Sequence, residues 1–237
     1  MKTYVLADAD SVAQKAAAVI AEEARTSVAA RGRFVMAVSG GHTPWLMLRA
    51  LADQDVPWPA VHVMQVDERV APVGYPDRNL SHIQESLLAH VPLGPEQIHA
   101  MPVEAPDLDA SAARYASTIQ EICGPSAMLD LVQLGLGPDG HTASLVPGDP
   151  ALGVTAVDVA VTGAYQGRRR MTLTFPALNR SRRVVWVVTE SEKVAMLQRL
   201  VDGDTSIPAG RVRRDESLVF ADRAAAGQLT AEHGEGG

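Results

Sequence analysis

The chain has 237 residues, 46% of them hydrophobic and 21% charged, with a formal net charge of −7. That is ordinary globular composition with enough apolar residue for a large core, so one large α/β domain spanning residues 1–237 is expected rather than two independent ones. The acidic balance without a basic block argues against nucleic-acid binding, no apolar run is long enough for a membrane span, and the single cysteine, Cys123, rules out an intrachain disulfide and a cysteine metal cluster.

The N-terminus turns acidic before an export signal could form, so the cytoplasm is the expected location. Cys123 follows a helix-like run and reads as a buried thiol. Residues 3–7 read as a first strand. Asp8 or Asp10 is placed to cap the helix that follows to about Arg31, with Val12, Ala16, Val19, Ile20 and Glu23 on one side at helical spacing. Residues 33–39 form the next strand and run into Gly40, Gly41, His42, Thr43 and Pro44. Thr43 is expected as the N-cap, with Pro44 as the first helical residue. Strand, double-glycine turn and helix N-terminus favour an anion, because free N–H groups and the helix dipole point the same way. No Gly-Lys-Ser/Thr is present, so this is not a nucleotide P-loop. His42 is expected to contribute its backbone rather than its ring.

Residues 61–66 form a third strand, with Asp67, Glu68 and Arg69 at its end. Such triplets are usually solvated loop, but polar groups at a strand end also suit a site. Asp77, Arg78 and Asn79 lead into a helix from Leu80, which Asn79 is placed to cap. His82 and His90 read as structural or exposed. Residues 98–101 suggest a short strand, and residues 107–122 a helix with Leu108, Ala112, Tyr115, Ile119 and Ile122 on one side.

The organising stretch is LDLVQLGLGPDGHTASLVPG, residues 129–148. Its branched apolar run suits a strand buried on both faces. Gly135, Gly137 and Gly140 then interleave with Asp139, His141, Thr142 and Ser144, so backbone N–H groups can approach an anion closely. GLGPDG is a literal G-x-G-x-x-G, but a dinucleotide fingerprint opens a long helix, and Pro147, Gly148, Pro150 and Gly153 argue against one here. Beyond it, residues 154–161 and 170–175 look like strands of a small antiparallel excursion at about 154–175, joined through a turn-like stretch at 163–167. Arg168, Arg169 and Arg170 are the densest positive cluster; a guanidinium among them can grip phosphate with two bonds. Residues 176–180 read as a short helix or turn, and residues 183–189 as another buried strand. Glu190 or Ser191 opens a helix over residues 193–201, with Lys193 opposing the dipole unless an anion compensates. Residues 217–220 read as a last strand, and the Gly-Glu-Gly-Gly tail as frayed. Alternating strands and helices predict a mostly parallel sheet with helices on both faces. If the strand ends at 39–43, 67–69, 137–141 and 190–193 share one edge, they build one site.

Four motifs in order, SGGHTP from Ser39, VDERVAP with a downstream DRN, GLGPDGHTASLVPG and RMTLTFPALN from Arg170, resemble the 6-phosphogluconolactonase family over nearly the whole chain. The resemblance implies a Rossmann-like open sheet, akin to glucosamine-6-phosphate deaminase, ribose-5-phosphate isomerase and CoA transferases. It implies a carboxylic ester hydrolase of the pentose phosphate pathway that opens 6-phospho-D-glucono-1,5-lactone, without metal or organic cofactor. His141 is then the general base, Asp139 orients its ring or holds its tautomer, and Arg69 or a backbone N–H stabilises the oxyanion. The backbone of residues 40–43, with Arg170 and Lys193, holds the 6-phosphate. Ser39, Asp67, Arg78, Asn79, Gly137 and Arg168 complete the expected substrate site. Many members carry a lysine in a proline-rich segment before RxTLT; here residues 164–169 have neither, and Arg168 is the expected substitute. The expected partner is the small sugar-phosphate lactone alone, with the protein a monomer or weak homo-oligomer.

Two other functions compete. Glucosamine-6-phosphate deaminases share the SGG loop and DGH motif, but they place a glutamate where Val146 stands and a tyrosine where Arg69 stands. A non-catalytic sugar-phosphate sensor would keep the phosphate loop without needing His141; it usually carries a DNA-binding segment, and no basic helix-turn-helix stretch is visible.

Overall fold

The alternation of branched apolar runs with helical segments becomes a parallel sheet. A computed structural model describes residues 1–229 of the chain, so the Gly-Glu-Gly-Gly tail lies outside the described residues. The first half contains β1 (Lys2–Leu6), α1 (Ala9–Arg31), β2 (Phe34–Val38), α2 (His42–Ala52), β3 (Val61–Gln65), β4 (Asp67–Arg69), α3 (Asn79–Ser86) and β5 (Ile98–His99). The second half adds α4 (Leu108–Cys123), β6 (Leu131–Leu134), β7 (Val159–Val161), β8 (Arg170–Leu173), α5 (Phe175–Arg180), β9 (Arg183–Val188), α6 (Val194–Asp202), β10 (Ser217–Asp222) and α7 (Arg223–Ala226). Asp8 is the cap of α1, its carboxylate accepting from the Ser11 N–H at 2.8 Å.

Seven strands lie in the order β1-β10-β9-β6-β2-β3-β5, and every neighbouring pair is parallel. Along β2, Phe34, Met36 and Val38 enter one core while Val35 and Ala37 enter the other. Helices α1 and α2 close the first core, with Ile83 of α3. Helices α4, α5 and α6 and the small sheet close the second, around the fully buried Trp186. Burial on both faces is why these strands read as continuous apolar runs rather than alternating ones. Cys123 is buried, and burial pushes its thiol up to about 11. Among the described residues, no helix is long and apolar enough to cross a membrane.

The chain leaves the large sheet at Val66, whose N–H donates to Val38 O at 3.0 Å while its own carbonyl accepts from Leu173 N at 2.8 Å. The next residues, expected as a polar strand end, are themselves a strand: β4 pairs antiparallel with β8, and β8 with β7. The excursion expected at about 154–175 is thus the β7–β8 hairpin with β4 added. From β2 the chain moves to β3 on one side, and from β6 to β9 on the other. The loops leaving β2 and β6 therefore diverge, which opens a crevice at the strands' carboxyl ends.

Glu68 holds this corner together. Its side chain is fully buried and accepts from the N–H groups of Arg69 and Asn79, each at 2.8 Å, from Leu80 N–H at 2.9 Å and from Gln65 Nε2 at 2.9 Å. Arg78 Nε lies 3.2 Å away as the counter-charge, too poorly aligned for a hydrogen bond. The expected cap of α3 is therefore corrected. Asn79 is already helical, its side chain points to Asp67, and Glu68 satisfies the first N–H groups instead. Glu68→Gln should cost roughly 3 kcal/mol, because it leaves Arg78 with only the more exposed Glu104 as counter-charge and turns an amide N–H group toward backbone donors. A urea midpoint lowered at an unchanged slope checks this, and an unshifted midpoint refutes it.

Candidate active site

A cleft of about 280 Å³ opens where the two loops diverge, and all four polar strand ends border it. Its walls include Ser39, Gly40, Gly41, His42 and Thr43 after β2, Asp67 and Arg69 of β4, and Gly137 and His141 after β6. Asn79, Arg170, Thr189, Glu190 and Lys193 complete them.

The loop after β6 is folded back by two main-chain bonds, Gly140 N to Gly137 O at 3.0 Å and Gly137 N to His141 O at 2.8 Å. This turn lays the imidazole against Gly137, where a Cβ would stand 2.1 Å from Nδ1. Only glycine leaves the ring room. Asp139 Oδ1 lies 2.5 Å from His141 Nδ1 and also accepts the His141 N–H at 3.1 Å. Burial pushes the Asp139 carboxyl up, but the His141 N–H and the neighbouring imidazole outweigh it and hold the group below the ordinary carboxylate value. A carboxylate can only accept, so the neutral ring carries its proton on Nδ1 and leaves the lone pair to Nε2. Nε2 has no hydrogen-bond partner among the described residues, and the ring is part of the cleft wall. This is the arrangement a general base requires.

The anion end differs in detail from expectation. Helix α2 starts at His42, with Gly41 as N-cap and no side-chain cap, so first-turn N–H groups stay available to a ligand. Thr43 is not the cap: its Oγ1 meets Thr189 Oγ1 at 2.5 Å and ties α2 to the end of β9. Gly40 is needed for close approach, since a Cβ there would lie 1.8 Å from Asn79 Oδ1. Ser39 is buried, its N–H donating to Gln133 Oε1 at 3.0 Å and its Oγ to Gln133 O at 2.9 Å. The His42 ring is exposed.

Three cations reach the cleft. Arg170 is buried, lies over the Tyr165 ring at 5.1 Å and donates from Nη2 to Gln166 Oε1 at 3.2 Å. Its Nε has no partner among the described residues. Burial lowers its pKa, and Asp67 opposes that shift. Arg69 donates to Asp77 O and Asn79 Oδ1, both at 2.6 Å. Lys193 ends a short turn before α6 and bonds Glu192 at 2.6 Å. Asp67 is buried, taking Ser144 Oγ at 2.5 Å on Oδ2 and Asn79 Nδ2 at 3.1 Å on Oδ1.

Two expected ligands do not join this group. Arg78 is turned inward to Glu68, Ala71 O and Glu104, because a fully buried carboxylate demands a counter-charge. Arg168 lies over the Tyr75 ring at 4.3 Å and pairs with Asp77 at 3.7 Å, outside the cleft wall. Tyr165, Thr189 and Ser144 are the contributors that sequence reasoning passed over as site residues. The signal for Tyr165 was present: Gln166-Gly167 between two strand-like runs is a two-residue hairpin turn, which sends its flanking residue back toward the sheet.

Over residues 7–220 the chain matches the family model described as glucosamine-6-phosphate isomerases/6-phosphogluconolactonase. A 6-phosphogluconolactonase of Synechocystis sp. is 38% identical over 194 residues, covering 80% of each chain. One from Mycobacterium tuberculosis is 36% identical over 217 residues, covering 86% of this chain and 88% of the other. The crystal structure of 6-phosphogluconolactonase from Thermotoga maritima superposes with a TM-score of 0.83 at 28% identity, over 93% of this chain and 98% of that one. A monomeric glucosamine-6-phosphate deaminase, at 18% identity and a TM-score of 0.81 over 95% of this chain and 99% of its own, shares the fold alone. With its motifs in order and its cleft at the switch point of the sheet, the chain belongs to the glucosamine-6-phosphate isomerase/6-phosphogluconolactonase family.

Proposed function

We propose that the protein hydrolyses 6-phospho-D-glucono-1,5-lactone to 6-phospho-D-gluconate. The observation that carries this reading is the oriented His141–Asp139 pair, in one cleft with the uncapped N-terminus of α2 and the cations Arg170 and Lys193. The 6-phosphate lies on the N–H groups of residues 40–43 and is gripped by Arg170 and Lys193. The lactone carbonyl lies toward His141. Nε2 takes a proton from water as the oxygen attacks the carbonyl carbon, and Arg69 or a backbone N–H stabilises the resulting oxyanion. The tetrahedral intermediate collapses by breaking the bond to the ring oxygen, which receives the proton back from the imidazolium. Asp139 stays ionised throughout and steadies that cation. The product is a free hydroxyl and a carboxylic acid, which then releases its proton to solvent and becomes the carboxylate.

Deamination is disfavoured by the residue five positions after His141. Val146 is buried and apolar, so no carboxylate stands there to support ring opening.

The test is a lactonase assay corrected for spontaneous opening, run beside ammonia release from glucosamine 6-phosphate; rapid lactone hydrolysis without ammonia is expected, and the reverse result would remove the reading. His141→Ala should slow hydrolysis by about 10²–10⁴-fold while a phosphorylated product still binds. Near-normal turnover would remove the imidazole as base. Arg170→Ala and Lys193→Ala should each raise KM by roughly tenfold with a smaller effect on kcat, since a remote phosphate supplies binding energy. An unchanged KM in both moves the phosphate elsewhere. Gly137→Ala should abolish most activity without unfolding the chain, because the added Cβ displaces the imidazole from Asp139; full activity would show that the ring has another working position.

A further inference from the structure

The geometry points to Tyr165 as a positioning residue that acts through Asp139 on the His141 base and couples it to the phosphate-gripping Arg170. This rests on the lactonase reading given above. Asp139 uses Oδ1 for His141 and has Oδ2 left over. The Tyr165 hydroxyl donates to that second oxygen at 3.3 Å. The Tyr165 ring also stands edge-on to the imidazole, 5.6 Å between centroids at 65°. The Arg170 guanidinium lies over the same ring, 5.1 Å from its centroid. One side chain thus touches the orienting carboxylate, the base and the phosphate grip.

The backbone that presents it is built for this. Gln166 and Gly167 both have positive φ, 51° and 78°, which makes residues 165–168 a tight two-residue turn of the primed type. Tyr165 N–H donates to Arg168 O at 2.9 Å and closes the hairpin. Within the same turn, Gln166 Oε1 accepts from Arg170. The hairpin therefore holds the phosphate cation with one residue and the acid–base pair with its neighbour.

The chemistry gives the hydroxyl a role. When water loses its proton to Nε2, the imidazolium carries a second acidic hydrogen on Nδ1, facing Asp139. A donor on Oδ2 keeps that carboxylate an anion, so the proton stays on the ring and is returned from Nε2 to the leaving oxygen. The titratable and charged groups around the imidazole come from several elements. Asp139 lies on its own loop and Tyr165 on the β7–β8 hairpin. His42 comes from the start of α2, Asp67 and Arg69 from β4, Arg170 from β8, and Glu190 and Lys193 from beyond β9. Asp139 and Tyr165 contact the ring, while the others line the cleft it faces.

The experiment is the pH dependence of kcat and kcat/KM for lactone hydrolysis by wild type, Tyr165→Phe, Asp139→Asn and the double variant. Phenylalanine keeps the ring under Arg170 and removes the hydroxyl alone. Without that donor the potential at the imidazole is more negative. The acid limb of kcat/KM should then move to higher pH by roughly half a unit, with kcat down about fivefold and KM unchanged. In the Asp139→Asn background the same change should add less than about twofold, since the path through the carboxylate is already gone. A Tyr165→Phe profile that superimposes on wild type overturns the proposal. So does a lower kcat with an unmoved acid limb, or a full additional loss in the Asp139→Asn background. Wild-type protein that fails to hydrolyse the lactone at any pH removes the underlying reading instead, and is recognised before any variant is compared.

Discussion

A single buried carboxylate decides where the cleft walls stand. Glu68 has no exposed surface, and burying a carboxylate is tolerated only when its oxygens are saturated and a counter-ion is near. Its partners come from β3, β4 and the start of α3, and Arg78 supplies the cation. This cluster fixes the small sheet against the large one. Asp67 and Arg69, the neighbours of Glu68, face the cleft because Glu68 itself faces inward, as alternation along a strand requires.

The His141 side of the cleft follows the same logic with a shallower residue. Asp139 is partly exposed and keeps its charge by accepting from His141 twice. The glycines around it are not generic flexibility. Gly137 leaves space for a ring, and Gly40 leaves space for Asn79. Both open the backbone toward a ligand at the switch point of the sheet.

Much of this was legible in the residues. The apolar runs predicted the strands, the four polar strand ends predicted one site, and the family resemblance of the DGH loop implied an imidazole oriented by Asp139. The misreadings share one physical cause. Thr43 and Asn79 have the side chains of helix caps, and local pattern assigns them so. In the fold, Thr43 bonds across to Thr189, and Asn79 bonds across to Asp67. Arg78 was expected at the substrate, and the triplet holding Glu68 as solvated loop or site, but the two side chains are buried against each other. These pairings join residues remote in sequence or turned inward by the sheet, and no local window contains that information. Arg168 was favoured for its charge, although its strand partner across the hairpin turn was the informative neighbour.

Backbone strain marks the link between Asp139 and Asp67. Ala143 takes a left-handed conformation, φ 50°, although it has a Cβ and no polar side chain to ease it. Such a residue persists only where its surroundings over-determine it. Here His141 is bound to Asp139 on one side, and on the other Ser144 gives its N–H to Thr172 Oγ1 at 3.2 Å and its hydroxyl to Asp67 at 2.5 Å. Glu190, φ 82°, makes the matching bend on the opposite wall, with its N–H directed at Asp222. The segment from Asp139 to Ser144 is therefore tied at both ends to a carboxyl side chain, Asp139 through the imidazole of His141 and Asp67 through the hydroxyl of Ser144.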